Sequence, residues 1–209
     1  MLGIREMILG LPGMLLGLTF HEFAHAYAAY RSGDPTASYS GRLTLNPLPH
    51  IDPLGFLALF LFGFGWAKPV PVNPALMRKP KEGMLFVSIA GPFANFLLAV
   101  AIALLFRLGC RGLFNNGLSF MLQFAVLINL VLAFFNLIPV PPLDGSKILF
   151  SLVNVRAETQ IFLERTGPLF LLFLIMFSRL SGLNLLGTVV GYPVVFIGRV
   201  LLGQGYGAF

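Results

Sequence analysis

From Met84 to Phe106 the chain carries no charged side chain. A helix needs about 20 apolar residues to cross the hydrocarbon core of a bilayer, so this run fits a membrane span and little else. Leu118 to Pro139 is uncharged throughout as well. Composition agrees: 57% of the 209 residues are hydrophobic and 11% charged, against about 45–50% and about 25% in soluble domains. Disorder is excluded, because disordered chains are poor in apolar residues. A water-soluble globule is excluded too, since so few charges cannot cover one. The pattern predicts an all-α integral membrane protein whose first partner is the lipid bilayer. The net charge of +6 comes from 14 scattered basic residues with no run able to track a phosphate backbone, so nucleic acid is not an expected partner. The lone Cys110 excludes an intramolecular disulfide framework and any site built from several cysteines.

Three further stretches complete the segmentation. Met7 to Tyr30 has spanning length but contains His21, Glu22 and His25. No cleavage-site pattern of small residues precedes that trio, so the stretch is not read as a removable signal. Ile51 to Trp66 is apolar but short, and Pro53, Gly55, Gly63 and Gly65 interrupt it. It reads as a re-entrant or β-hairpin-like segment, tolerated at membrane depth where other protein covers its backbone. Gly167–Ser178 and residues 183–202 form an expected C-terminal pair, broken at Gly182, Gly187, Gly191 and Pro193. The expectation is one transmembrane domain over residues 1–209. A three-helix core occupies about 7–145 and additional C-terminal helices about 146–209.

Basic residues orient such a chain. If Met7–Tyr30 spans and Ile51–Trp66 returns to its own side, then Arg31, Arg42, Lys68, Arg78, Lys79, Lys81, Lys147, Arg156 and Arg165 share one face of the membrane. Arg5, Arg107 and Arg111 share the other. The richer side is expected in the cytoplasm, with the N-terminus outside.

His21-Glu22-Phe23-Ala24-His25 is an H-E-x-x-H motif in a chain with only 3 His. On a helix, positions i and i+4 lie one turn apart on one face, so two imidazoles can reach one metal ion. Glu22 beside them can contact a water activated by that ion. Zinc lowers the pKa of such a water towards neutral, and a carboxylate then takes its proton as it attacks a carbonyl. The spacing suits metal-assisted peptide hydrolysis. His21 lies about 20 Å along the predicted helix at about 1.5 Å per residue, inside the bilayer and nearer the cytoplasmic end. Ionisable groups at that depth cost about 2.5–3.5 kcal/mol each on insertion scales, so a cluster of them marks a functional site. The bland alternative is a hydrogen-bonded polar cluster that joins helices.

Two histidines leave a zinc site short of a ligand. His50 and the acidic residues are candidates. Asp34 stands beside Pro35, where a turn is expected, and Asp52 precedes Pro53, where it can cap the following segment. Asp144 follows the second uncharged span directly. Pro139, Pro141 and Pro142 keep the backbone before it irregular, so that backbone is expected to line a protein cavity. It also falls on the same side as the end of the first helix; the alternative for Asp144 is a turn or cap.

At this point the chain resembles the site-2 proteases, intramembrane zinc metalloproteases. The resemblance rests on His21-Glu22-x-x-His25, on Gly91-Pro-Phe-Ala-Asn95 within a span, and on Asn136 with Leu143-Asp144-Gly145. Asn46-Pro47, His50-Ile51-Asp52-Pro53 and Leu54-Gly55 further resemble the small prokaryotic branch without PDZ or CBS modules. The resemblance implies one zinc ion held by His21, His25 and Asp144, with Glu22 as general base. It implies a core of three transmembrane helices, a multi-pass location in a prokaryotic cell membrane, and cleavage of transmembrane protein substrates.

Supporting residues are open at this level. Asn95 and Asn136 are candidates to stabilise an oxyanion or hold a ligand from behind, or simply to join helices. His50 is a candidate electrophile, a transient ligand or a loop residue. Gly91 suggests close helix packing. Gly63-Phe64-Gly65 followed by Pro69-Val70-Pro71-Val72 suggests an edge that pairs with unwound substrate, since alternate prolines lack donors; the alternative is a structural loop. Two rival functions remain at this stage: a transporter or metal carrier using the polar cluster for transit, and a catalytically dead scaffold. Fe or Co could occupy the same ligand set.

Overall fold

The computed structural model describes residues 4–62, 65–109, 116–182 and 185–203. Among these, eight α-helices follow in order: α1 (Ile4–Ser32), α2 (Thr36–Tyr39), α3 (Pro53–Phe62), α4 (Pro80–Gly109), α5 (Asn116–Asn136), α6 (Asp144–Leu152), α7 (Ala157–Ser181) and α8 (Leu185–Leu202). Three have the length and apolar composition to cross a membrane: α4, α5 and α7. The expected all-α membrane architecture is present.

The centre is a three-helix unit in which α1, α4 and α5 each pack against the other two. Lipid tails are as apolar as leucine, so such helices associate through close van der Waals fit and buried hydrogen bonds. The residues match that requirement. A Cβ at Gly13 of α1 would stand 2.5 Å from Ala125 Cβ of α5, so the two backbones approach to a distance only glycine permits. Ala26, Ala28 and Ala29 are fully buried farther along α1. At the other end Ala99, Ile102, Ala103 and Phe106 of α4 meet Ala125, Val126 and Leu130 of α5, with Val190 and Val194 of α8 closing the cluster.

Helix α1 stops at a Schellman turn. Gly33 adopts φ +107°, a conformation open to glycine. Its N–H donates to the Tyr30 carbonyl at 3.1 Å, and that of Asp34 to the Ala29 carbonyl at 3.0 Å. Asp34 then performs the expected turn role: its Oδ1 accepts the Thr36 N–H at 3.0 Å. Asp52 caps α3, accepting the N–H groups of Leu54 and Gly55 at 2.9 and 3.0 Å.

The stretch from Ile51 to Trp66 begins at Ile51 and is helical over most of its described length. The helix is α3, and the ends of the stretch meet at an isolated antiparallel bridge between Ile51 and Ala67. No β-strand occurs among the described residues beyond that bridge.

At the C-terminus one expectation is corrected. Gly182 ends α7 in a left-handed conformation, but Gly187, Gly191 and Pro193 all lie inside the continuous helix α8. Helix breakers are tolerated in membrane helices, where neighbouring groups re-satisfy the freed backbone. Helix α6, which the three prolines gave no reason to expect, packs on α4 directly after the irregular turn 137–143.

Candidate metal centre

Two imidazoles and one carboxylate converge in the centre of the molecule. His21 and His25 project from one face of α1, and Asp144 from the first turn of α6. His21 Nε2 and His25 Nε2 each lie 3.2 Å from Asp144 Oδ2, and 3.0 Å from one another. All three residues are buried. Asp144 is carried there by the turn after α5. A Cβ at Gly145 would run into the carbonyls of Leu137 and Ile138, so only glycine lets α6 begin beneath that turn.

The hydrogens on the rings can be placed by their partners. His25 Nδ1 faces the Val87 carbonyl at 2.8 Å, which can only accept. His21 Nδ1 faces Asn95 Oδ1 at 2.6 Å, and Asn95 Nδ2 is turned away, donating to the Gly17 carbonyl at 2.9 Å. Each ring therefore carries a hydrogen on Nδ1, and as a neutral imidazole presents a bare lone pair at Nε2. Asp144 Oδ2 has no hydrogen-bond donor among the described residues. Three electron-rich atoms thus face each other without a hydrogen between them, an arrangement that repels unless a cation lies among them. The separations suit zinc: bonds of about 2.0–2.1 Å in a tetrahedral sphere put ligand atoms about 3.3 Å apart. His21, His25 and Asp144 can hold a metal ion. The second carboxylate oxygen of Asp144 faces Lys147 Nζ at 3.8 Å.

Close approach of α4 shapes the other wall. A Cβ at Gly91 would stand 2.5 Å from His25 Nε2 and 2.7 Å from His21 Cε1. The close packing expected of this glycine is thus directed at the imidazoles themselves.

Glu22 is buried beside the cluster, and its Oε2 accepts the Val70 N–H at 3.1 Å. The segment carrying Val70 is pinned along its length. The Lys68 N–H donates to the His50 carbonyl at 3.0 Å, Arg42 Nη2 donates to the Lys68 carbonyl, and the Asn73 N–H donates to Asp34 Oδ2 at 2.6 Å. Burial alone would push the Asp34 carboxyl up. The Thr36 hydroxyl, the Asn73 amide and the Thr36 amide more than offset this and hold it below the usual carboxylate value.

The remaining sequence candidates divide. Asn95 stands behind His21 as a supporting group. Asn136 does not reach the cluster with its amide nitrogen, which donates to the Leu132 carbonyl of its own helix at 3.0 Å. His50 is fully buried but outside the cluster. Its Nε2 donates to the Thr44 carbonyl at 2.9 Å, and its Nδ1 has no partner among the described residues. Val72 packs against the small core of Ala28, Ala29, Met77 and Val87. Gly65 lies close to the Gly55 carbonyl, while Gly63 and Phe64 lie outside the described residues. Sequence reasoning passed over Asn129, fully buried on α5; an amide in an otherwise apolar span was the available signal.

The model of peptidase family M50 matches residues 111–176. YwhC of Bacillus subtilis is 43% identical over 195 residues, covering 89% of this chain and 85% of that protein. The chain belongs to peptidase family M50. Rip2 of Mycolicibacterium smegmatis is 38% identical over 166 residues, covering 75% of this chain and 61% of its own. Both relatives are named as zinc metalloproteases. MJ0392 of Methanocaldococcus jannaschii, named likewise, is 30% identical over 126 residues, covering 58% of this chain and 36% of its own. No solved structure matches. This M50 protein is a membrane zinc metalloprotease.

Proposed function

We propose that this M50 peptidase is an intramembrane endopeptidase that hydrolyses a peptide bond within or near a transmembrane segment of a membrane-protein substrate. The observation that carries the reading is the convergence of His21 Nε2, His25 Nε2 and Asp144 Oδ2, each about 3 Å from the others, beside a buried Glu22. In this reading the three side chains are the ligands of one zinc ion, which supplies Lewis-acid activation of water near neutral pH. Two neutral imidazoles and two carboxylates balance a divalent charge, the neutral state that a site at membrane depth requires.

The chain's own residues supply the rest. Glu22 takes a proton from the attacking water and returns it to the leaving amine nitrogen, so water is added across the C–N bond. Val70 holds the carboxylate of Glu22 in place through its N–H. Substrate is read along the same segment. A helical peptide bond is shielded by its own hydrogen bonds, so cleavage needs local unwinding, and freed backbone groups need partners. Pro69 and Pro71 lack donors, which leaves carbonyl acceptors for a substrate's N–H groups, one residue from the Glu22 contact. Gly63, Phe64, Gly65, Val70 and Val72 are the proposed substrate-binding positions. In this reading the N-terminus lies outside and water reaches the site from the nearby cytoplasmic face, an orientation that the distribution of basic residues supports.

The decisive experiment compares wild type with Glu22→Gln on a model transmembrane peptide, with metal content measured on both. The expected result is a loss of at least about 100-fold in turnover, with metal content unchanged. Full activity in the variant removes the proposed base. Loss of the metal would make Glu22 a ligand rather than a base.

A further inference from the structure

The two imidazoles are held from behind in different ways. His25 Nδ1–H rests on the backbone carbonyl of Val87, which cannot exchange donor for acceptor. His21 Nδ1–H rests on the side-chain amide of Asn95, which can. Turned by half a rotation, that amide would present Nδ2 to the ring, favour hydrogen on Nε2, and remove the lone pair that faces Asp144 and His25.

What prevents the turn is the Gly17 backbone carbonyl together with a second amide. Asn95 Nδ2 has two hydrogens, and both are placed, one on the Gly17 carbonyl and one on Asn129 Oδ1, each at 2.9 Å. Asn129 Nδ2 places its own on the Ala125 carbonyl at 2.8 Å and the Gly13 carbonyl at 3.4 Å. Turning Asn129 would set its oxygen against two carbonyls and its nitrogen against Asn95 Nδ2. Each amide therefore has one permitted orientation, and the polarity runs in one sense through α5, α4 and α1 to the ring. Both amides are fully buried. The close approach that allows the link is a glycine property: a Cβ at Gly17 would stand 2.6 Å from Asn129 Oδ1.

We infer that Asn129 is a positioning residue for the metal centre, acting with the Gly17 carbonyl to fix through Asn95 which nitrogen of His21 carries the hydrogen and so keeping Nε2 free to bind metal. The inference rests on the reading of His21 as a ligand. Because the support is a neutral amide and not a carboxylate, it directs the ring without adding a charge to the site.

The test uses the full-length protein in detergent and Co²⁺ as a spectroscopic probe. Wild type, Asn129→Ala, Asn129→Asp and His25→Ala are compared for Co²⁺ affinity. The hydrogen position on His21 is read by nitrogen NMR of the metal-free protein. Asn129→Ala is expected to weaken Co²⁺ binding about 10–100-fold and to move hydrogen towards His21 Nε2. Burial favours the protonated form of a carboxyl, so Asn129→Asp keeps one donor towards the Ala125 and Gly13 carbonyls and an acceptor facing Asn95, and is expected to restore part of the affinity. If Asn129→Ala does not fold, Gly17→Ala displaces Asn129 Oδ1 from the opposite helix and is read in the same way. A role in helix packing alone would lower the unfolding temperature while leaving Co²⁺ affinity and the ring hydrogen as in wild type, and that result overturns the inference. Binding in His25→Ala as tight as in wild type, or none in wild type, overturns the ligand reading and this inference with it.

Discussion

Helices α4 and α7 are both apolar enough to cross a membrane, yet they do opposite things. Inside the protein, 39% of the apolar stretch of α4 is buried, against 11% for α7. Helix α4 brings Val87, Gly91 and Asn95 to the imidazoles and buries Ser88 and Asn95 completely. Helix α7 packs only on α8 among the helices it substantially meets, and turns Leu169, Phe170, Leu172 and Phe173 outward. In a bilayer those side chains face lipid at no cost, because burying them against protein gains little over burying them in acyl chains. Hydropathy therefore marks both helices alike, and polar and small residues separate them. A span rich in Gly, Ala and Asn belongs to the working centre, and one rich in Leu and Phe belongs to the rim.

That contrast can be broken at several points. The largest effect is expected from Asp144→Ala, which removes a proposed ligand. Metal content by atomic absorption should fall to background, a loss of affinity well beyond the 10–100-fold typical of supporting residues; a variant that keeps its metal would dissolve the centre. Next is Gly91→Ala on α4. Its new methyl would meet His25 Nε2 and His21 Cε1 at 2.5 and 2.7 Å, so metal affinity should drop about 10-fold, in the range of supporting-residue effects. An unchanged dissociation constant would show that α4 yields, and that the wall is softer than its packing implies.

A smaller effect is expected at the edge of the centre. Asp34→Asn loses a charged acceptor shared by Thr36 and Asn73, and should lower stability by about 1–3 kcal/mol at neutral pH. The folded carboxyl lies below its unfolded value of about 3.9. Its contribution is therefore complete above that value and disappears as pH falls through the folded one. Thermal melts from pH 7 to pH 3 should show wild type losing this advantage in acid and the Asp34→Asn variant losing nothing comparable; parallel acid limbs would count against it. The smallest effect belongs to the rim. Phe173→Ala on α7 should leave turnover within about 2-fold, since surface changes away from packed features act weakly. A large loss would move α7 into the machinery and end the contrast.

The class of protein and the residue types of a candidate metal centre were legible in the residues. Long uncharged runs demand helices in lipid because every backbone group must be satisfied locally, and α4 and α5 appear where Met84–Phe106 and Leu118–Pro139 predict them. His21 and His25 share a face by helical geometry alone, whereas the arrival of Asp144 beside them depends on the turn that joins α5 to α6. Local rules misjudged Pro193, because α8 is held together by its packing on α5, a partner that no window of sequence contains. Only the tertiary structure decided which amide serves which ring, since the roles of Asn95, Asn129 and Asn136 depend on hydrogen bonds between helices distant in the chain. It also decided that Val70 meets Glu22. Helix periodicity states which way a side chain points, whereas the group it meets is set by the packing of separate segments.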